Sequence, residues 1–496
     1  MVLGTRKTRV DRSASTARPG GVVGVLAAAG IVASLMQTLV VPLLGDLPRI
    51  LDTSASNASW VVTVTLLTGA VSTPVAGRLG DLYGKRAVLL GTAVPLVAGS
   101  VVCALASSLL PMVVGRGLQG LGIGMIPVGI SALRDLLPPA RLGPSIALMS
   151  ASMGVGGAVG LPVSAAVAEH LSWRVLFWAA AVLGALVMLL MWRFVPAVPV
   201  SGGGGRFDAV GAAGLGAGLV CLLLAISKGG DWGWAGPTTV GLFAAAAVVL
   251  AAWGAWELRT GDPLVDLRVA AGRQVLLTNV ASVALGLAMY AQMLIVPQLL
   301  QLPSATGYGL GQSMLAMGLW MAPAGLMMML VSPLGAALSA ARGPKITLAV
   351  GSVVTAGGYG ALQPLMGSTW GLALGSCICT AGVGLAYGAM PALIMGAVPV
   401  SETASANSFN TLMRSIGTTT SAAVVGVILA QMSVQAGGHS VPTEGGFRAG
   451  MVFGAVMALL AALVALTIPA RRPVAVPGQR SAPDTVHAAR RVRPRS

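Results

Sequence analysis

The chain has 496 residues, 55% of them hydrophobic and only 9% charged, with a formal net charge of +16 and a mean hydropathy of +0.86. A soluble domain has about 25% charged residues, so this composition excludes a soluble globular protein and points to an integral membrane protein. The positive balance does not signal nucleic acid, because the cations gather in the two tails and in alternate loops.

A membrane span takes about 20 apolar residues, and isolated strands cannot satisfy their backbone in lipid, so each such run is expected to be a helix. Residues 1–19 form a basic tail. The run Gly21–Leu44 is too long for a signal-peptide core and reads as the first span. Trp60–Leu79, Ala87–Ala106, Pro111–Leu133, Pro144–Ala168 and Val175–Phe194 complete an N-terminal six-helix half over residues 20–195. Residues 196–270 contain the flexible Ser201–Gly205 linker and two inserted spans, Val210–Ile226 and Thr238–Trp256. A C-terminal six-helix half over residues 271–469 holds Val275–Leu294, Gly311–Leu334, Ile346–Met366, Gly371–Val398, Leu412–Met432 and Gly450–Ile468. A second basic tail, residues 470–496, closes the chain. Fourteen spans with most cations on one side place both termini in the cytoplasm, and leave Arg49, Arg174, Lys228 and Arg448 as outer cations.

The two halves carry a weak repeat. Pro74, Leu79, Gly84 and Leu89 recur at one constant offset as Pro333, Leu338, Gly343 and Leu348, while Asp81 becomes Ala340. Cys103, Cys221, Cys377 and Cys379 all fall in apolar runs, and no metal-ligand spacing appears, so they read as small core residues.

The most informative stretch is PVAGRLGDLYGKRAVLL, Pro74–Leu90. Gly77, Gly80 and Gly84 permit a tight reversal and close helix approach, and Arg78, Lys85 and Arg86 mark an inner loop. Asp81 can pair with Arg78 or with a helix N-terminus of a neighbouring bundle. A plain charged turn is the competing reading.

Other candidates lie inside spans. Arg116, in the fourth span, is a functional candidate because a charge in the membrane is costly unless paired or hydrated; snorkelling to the outer surface is the alternative. Gln37 and Arg116 fall at similar depths, which suggests a contact between them, although a Gln37 bonded only to backbone is equally compatible. Gln37 and Gln119 are candidates for a polar substrate cavity. Met314, Met317, Trp320 and Met321, in the methionine-rich tenth span, suit a surface that accepts varied apolar ligands; ordinary packing is the commoner use of methionine. Gly156 and Gly160 share one helix face, and Pro162 follows with a bend, so this helix is expected to pack closely. Arg414 reads as a cation anchoring the start of the thirteenth span at the inner surface. No acid falls near the middle of an expected span, and Asp46, at the outer end of the first, is the carboxylate left for proton coupling.

Gly77, Leu79, Asp81, Gly84, Lys85 and Arg86 fill the pattern G-x-L-x-D-x-x-G-[RK]-[RK], and this loop resembles the signature of the major facilitator superfamily. The resemblance implies two six-helix bundles and a latch, formed by Gly77, Arg78, Asp81, Gly84, Lys85 and Arg86, that holds the outward-facing state. The middle piece, with F-D-x-x-G at Phe207–Gly211 and W-G-W at Trp232–Trp234, is similar to the inserted pair of fourteen-span drug:proton antiporters. Arg116 with Gly120 matches the family's R-x-x-x-G, which implies a role in proton coupling. Gly156 and Gly160 keep part of the antiporter signature, but Leu161 stands in its proline position. The family's first-span aspartate is replaced by Met36, beside the retained Thr38.

These readings converge on an all-α transporter of about fourteen transmembrane helices in the cell membrane. The expected activity is export of lipophilic drugs or antibiotics by proton antiport with alternating access. A facilitator without proton coupling, or an exporter of a lipid or metabolite, is the alternative. An enzyme is not expected, since no nucleophile–base pair or metal cluster appears. The expected partners are a small lipophilic substrate, protons and the bilayer, with no nucleic acid, no cofactor beyond a proton gradient as energy source, and a monomeric chain.

Overall fold

The computed structural model describes residues 19–40, 43, 47–198, 205–436 and 439–469. Asp46 and the basic tails lie outside the described residues. Among the described residues the long helices are α1 (Pro19–Thr38), α2 (Trp60–Tyr83), α3 (Lys85–Leu105), α4 (Leu109–Leu136), α5 (Pro139–His170), α6 (Arg174–Phe194), α7 (Ala209–Trp232) and α8 (Pro237–Glu257). They continue with α9 (Arg273–Gln301), α10 (Met314–Arg342), α11 (Pro344–Leu365), α12 (Thr369–Met395), α13 (Thr403–Gln431) and α14 (Glu444–Thr467). A short antiparallel hairpin, β1 (Ser433–Ala436) and β2 (His439–Pro442), joins α13 to α14.

Thirteen of these helices are long and apolar enough to cross a membrane. The other, α11, is 22 residues long but diluted by Gly351, Gly357, Gly358, Gly360 and several hydroxyl side chains. It packs between α12 and α14, where those small residues let the backbones approach. A Cβ on Gly351, for example, would lie 2.5 Å from the Gly382 carbonyl oxygen.

One hydrophobic core joins α1, α3, α4 and α6, and two others join helices α9 to α14. The inserted pair forms its own cluster, in which Leu215, Leu219 and Leu223 of α7 pack on Ala70 of α2 and Leu412 of α13. The outer surface is apolar, with Val182, Leu189, Trp370 and Leu463 exposed, as lipid-facing side chains are. The sequence repeat has a backbone counterpart. Gly84 and Gly343, which occupy the same repeat position, both break their helix junctions at positive φ, 94° and 86°, where a side chain would be strained.

Helix α5 is held from two sides. Gly156 and Gly160 abut α1, where Cβ atoms would lie 2.5 Å from the Ile31 carbonyl and 2.0 Å from Thr38 Oγ1. Gly154, Ala158 and Pro162 abut α10, with Gly325 and Gly318 opposite them. The expected close packing of the G-x-x-x-G face is therefore against the first helix.

Several span boundaries differ from expectation, and two of them move charged residues. Helix α13 begins at Thr403, well before Leu412, and α7 runs on to Trp232, past Ile226. Lys228, expected as an outer-loop cation, is consequently buried inside α7, bonded to Ser59 Oγ and, at 3.0 Å, to Asp231.

Candidate functional site

The charged stretch after α2 closes one end of the molecule. Asp81 sits in the last turn of α2 and is buried. Its carboxylate accepts from the backbone N–H groups of Ala404 at 3.1 Å and Ser405 at 2.8 Å, and from Ser405 Oγ at 3.0 Å. Those N–H groups are unpaired donors of the first turn of α13, so an acid of the first half caps a helix of the second. Lys85 lies 3.7 Å from Asp81 and 2.6 Å from Asp135. Arg78 faces Asp262 at 4.0 Å, and Arg86 donates to the Trp192 carbonyl. Arg134 adds a second strap, donating to Thr403 Oγ1 at 2.6 Å. Gly77 makes this contact sterically possible, since its Cβ would lie 2.5 Å from Ser408 Oγ and 2.7 Å from the Ala404 carbonyl oxygen.

Arg116 is buried, 1% exposed, and does not snorkel. Its Nε donates to the Val61 carbonyl at 3.1 Å, and Nη1 donates to the Met36 carbonyl at 2.8 Å and to Gln119 Oε1 at 2.7 Å. Gln119 passes the chain on to Ser100 at 2.8 Å. The expected Gln37–Arg116 contact does not form. Met36 faces inward, and Gln37, the next residue, is turned about 100° away along a helix of 3.6 residues per turn. Gly120 is fixed by close approach to α2, where its Cβ would lie 2.0 Å from Thr68 Oγ1.

A small pocket lies where the halves meet. Its walls come from α4 (Pro127, Ile130), α5 (Ser150, Met153), α12 (Tyr387, Pro391) and α13 (Asn407, Asn410, Thr411, Arg414). Arg414 lies over the Tyr387 ring, 4.6 Å from its centroid, and its one hydrogen bond among the described residues runs to the Met153 sulfur at 3.9 Å. No carboxylate comes within 4.0 Å of it among the described residues. Asn410 is anchored to Asn279 at 2.8 Å and Ser282 at 2.7 Å. Ser150 Oγ and Asn407 Oδ1 are buried with no partner. The pocket thus offers a desolvated cation, an aromatic face and two open polar groups, the mixture that ligand sites use to orient apolar molecules.

A family model described as Major Facilitator Superfamily matches residues 26–422. The chain belongs to the major facilitator superfamily. The human organic anion transporter MFSD10 (TETRAN) shares the superfamily fold with it, at a TM-score of 0.65 and 15% identity over 90% of this chain and 99% of that one. The multidrug transporter protein MdtP of Bacillus subtilis is 26% identical over 80% of this chain and 72% of its own length. The tetracenomycin C resistance and export protein of Streptomyces glaucescens is 27% identical over 83% of this chain and 76% of its own. The chain spans 43% to 76% of the length of the curated relatives it matches here. The curated relatives named here are transporters.

Within this superfamily member, the expected substrate residues fall elsewhere than the pocket. Met317 and Met321 are packed in the core of the second half, and Met314 and Trp320 lie half-buried against it. Trp320 donates to Gln312 and meets Trp370 edge to face. Gln119 is committed to Arg116, and Gln37 stays half-buried on α1. Arg414 corrects an expectation: it is no surface anchor, because α13 starts three turns earlier and carries it inward. Asn407, Asn410, Thr411 and Arg414 follow i, i+3, i+4 and i+7 spacing, a polar stripe that marks one helix face and could have located the pocket.

Proposed function

We propose that the chain exports small lipophilic or amphipathic molecules across the cell membrane by alternating access, with the pocket around Arg414 as the substrate site. The observation that carries this reading is the pairing of a site lined by both halves with a gate that joins them at one end through Asp81. The multidrug and antibiotic exporters among the relatives support the substrate class. The cation distribution supports reading the gated end and both termini as cytoplasmic. The proton gradient is the proposed energy source and the single chain the working unit, with Arg116 and Asp46 as the first positions to test for coupling.

The test is substrate flux in proteoliposomes with and without an imposed pH gradient. Uphill accumulation that collapses when the gradient is dissipated supports antiport. Absence of any flux overturns the transport reading for the substrates used. One observation favours a second reading, an uncoupled facilitator: the residues lining the pocket include an arginine and no acid. Equal flux with and without the gradient would decide for it. Orientation is checked separately in a background where the four native cysteines are replaced. Ala235→Cys and Gly261→Cys sit at opposite ends of α8, both exposed, and are expected to react with a membrane-impermeant reagent from opposite sides.

A further inference from the structure

Helix α8 is the least enclosed of the long helices: Thr239, Ala246 and Glu257 are its buried residues. That a glutamate is among the three is unexpected, since an ionised carboxylate is the group most costly to remove from water. Glu257 is 2% exposed, and Asp208, the cap of α7, is 9% exposed. The two carboxyl groups converge over Gly211. A Cβ on that glycine would lie 2.4 Å from Asp208 Oδ2 and 2.6 Å from Glu257 Oε1.

Their hydrogen bonds are unequal. Asp208 Oδ1 accepts from the Gly211 N–H at 2.8 Å, and Oδ2 accepts from Trp256 Nε1 at 2.9 Å. Glu257 Oε1 accepts from Trp253 Nε1 at 2.8 Å. Glu257 Oε2 is buried, and among the described residues it has no partner of regular hydrogen-bond geometry; the Leu264 and Val265 backbone N–H groups face the carboxylate and partly offset its burial. Among the described residues no lysine or arginine nitrogen lies within 4.0 Å of either acid. The surrounding ionisable groups are engaged elsewhere or point away. Asp262 faces Arg78 and the Arg206 N–H, Arg268 donates to the Leu258 carbonyl, Asp266 caps the turn at Leu267, and Arg259 is exposed. Asp208 is the charged group that acts on Glu257.

We infer that Asp208 and Glu257 form a proton-binding site at the base of the inserted helix pair. With burial, the Asp208 carboxylate facing the same glycine and no cation at hand, Glu257 holds a proton, because a second negative charge there has nothing to compensate it. An O–H bond on Glu257 Oε2 also removes the unpaired buried charge. The proton comes from water at this end of the molecule and returns to it, and no other bond changes. The site has a route to the gate. The segment that follows Glu257 carries Asp262 to Arg78, one helical turn from Asp81. Loss of the proton would drive the two acids apart and shift that segment. The site does not depend on the export reading, and its readout is spectroscopic, so each can fail alone.

The experiment uses the full chain, purified in detergent, as wild type, Glu257→Gln, Asp208→Asn and Trp253→Phe. Infrared difference spectra at neutral pH are expected to contain a protonated-carboxyl band that is lost in Glu257→Gln. The glutamine is the neutral isostere of the protonated acid, so this variant should fold. Tryptophan fluorescence is expected to titrate with pH in the wild type, to lose that component in Trp253→Phe, and to change its midpoint by about one unit or more in Asp208→Asn. Identical spectra and titrations in wild type and Glu257→Gln would overturn the site. Fluorescence that follows sodium concentration at fixed pH would overturn it in favour of a metal cation. For the link, labelling of a Thr411→Cys reporter in the pocket should vary with pH in the wild type and lose that variation with Glu257→Gln. An unchanged pH profile would overturn the connection to the gate.

Discussion

Arg116 and Arg414 are both buried arginines in helices that flank the interface between halves, and neither has a carboxylate partner among the described residues, yet they sit in opposite circumstances. Arg116 donates to two carbonyls and an amide, and so ties α4 to α1 and α2. Arg414 meets a ring face and a sulfur and keeps most of its donors open. A buried charge with its hydrogen bonds satisfied stabilises the arrangement around it, whereas one left open is retained at a cost to stability. The difference separates a residue that builds the first half from one available to a ligand.

The largest expected effect comes from Arg116→Ala. It removes the bonds to the Met36 and Val61 carbonyls and to Gln119 Oε1 and leaves a cavity where the side chain was, and should lower stability by about 3–5 kcal/mol, read as thermal unfolding in detergent. A stable Arg116→Ala protein that has lost only transport would erase the contrast. Next is Asp81→Asn, which keeps an acceptor for α13 but removes its charge. It should favour the open gate by about 1.5–3 kcal/mol, roughly 10–150-fold. Cysteine labelling at Thr411, in the pocket, should rise, while labelling at Gln119 should stay low; equal changes at both would merge the two regions.

Arg414→Ala should be neutral or stabilising toward heat, because an uncompensated buried charge is removed. Its effect belongs in binding, where affinity for an anionic amphipathic ligand should fall by about 0.5–2 kcal/mol, or roughly 2–30-fold, by calorimetry. Unchanged affinity would move the substrate site elsewhere. The smallest change is expected from Tyr387→Leu, which keeps the volume apolar but loses the ring face. It should weaken the same ligand indirectly, by about 0.5–1 kcal/mol, by letting Arg414 swing. An effect larger than that of Arg414→Ala would make the ring the contact.

The gate was the most legible part of the sequence, since its glycines and charges are consecutive and an acid facing a helix N-terminus was among the stated options. The position of Arg414 was hidden by its neighbours. Ser405, Asn407, Ser408, Asn410 and Thr411 lower the local hydropathy, so the apolar run starts at Leu412, although the helix starts at Thr403. Several of those polar groups are tolerated inside because they bond within the second half, as Asn410 does to Asn279, or across the halves, as Asn407 does to Ser131 and Ser405 to Asp81. The methionines of α10 misled for a related reason. Composition does not tell which face of a helix meets its neighbour, and α10 turns its glycines to α5 and Met317 and Met321 to its own core. Glu257 escaped because it stood one residue past the expected end of its span, where a carboxylate looks solvated.

The seam between α5 and α10 has a mechanical consequence. Gly154 meets Met328 and the Gly325 carbonyl, Ala158 meets Gly325 itself, and Pro162 lies against Gly318, so between Gly318 and Gly325 the backbones approach without large side chains between them. A surface without teeth can roll with little friction, whereas interdigitated leucines would have to climb out of one another's grooves. The halves can therefore pivot about this line as about a bearing, and the resistance to turning is concentrated in the few polar bonds at the Asp81 end. Turnover would then be set by how fast those bonds release, and a bulky residue at Gly325 would act as a brake.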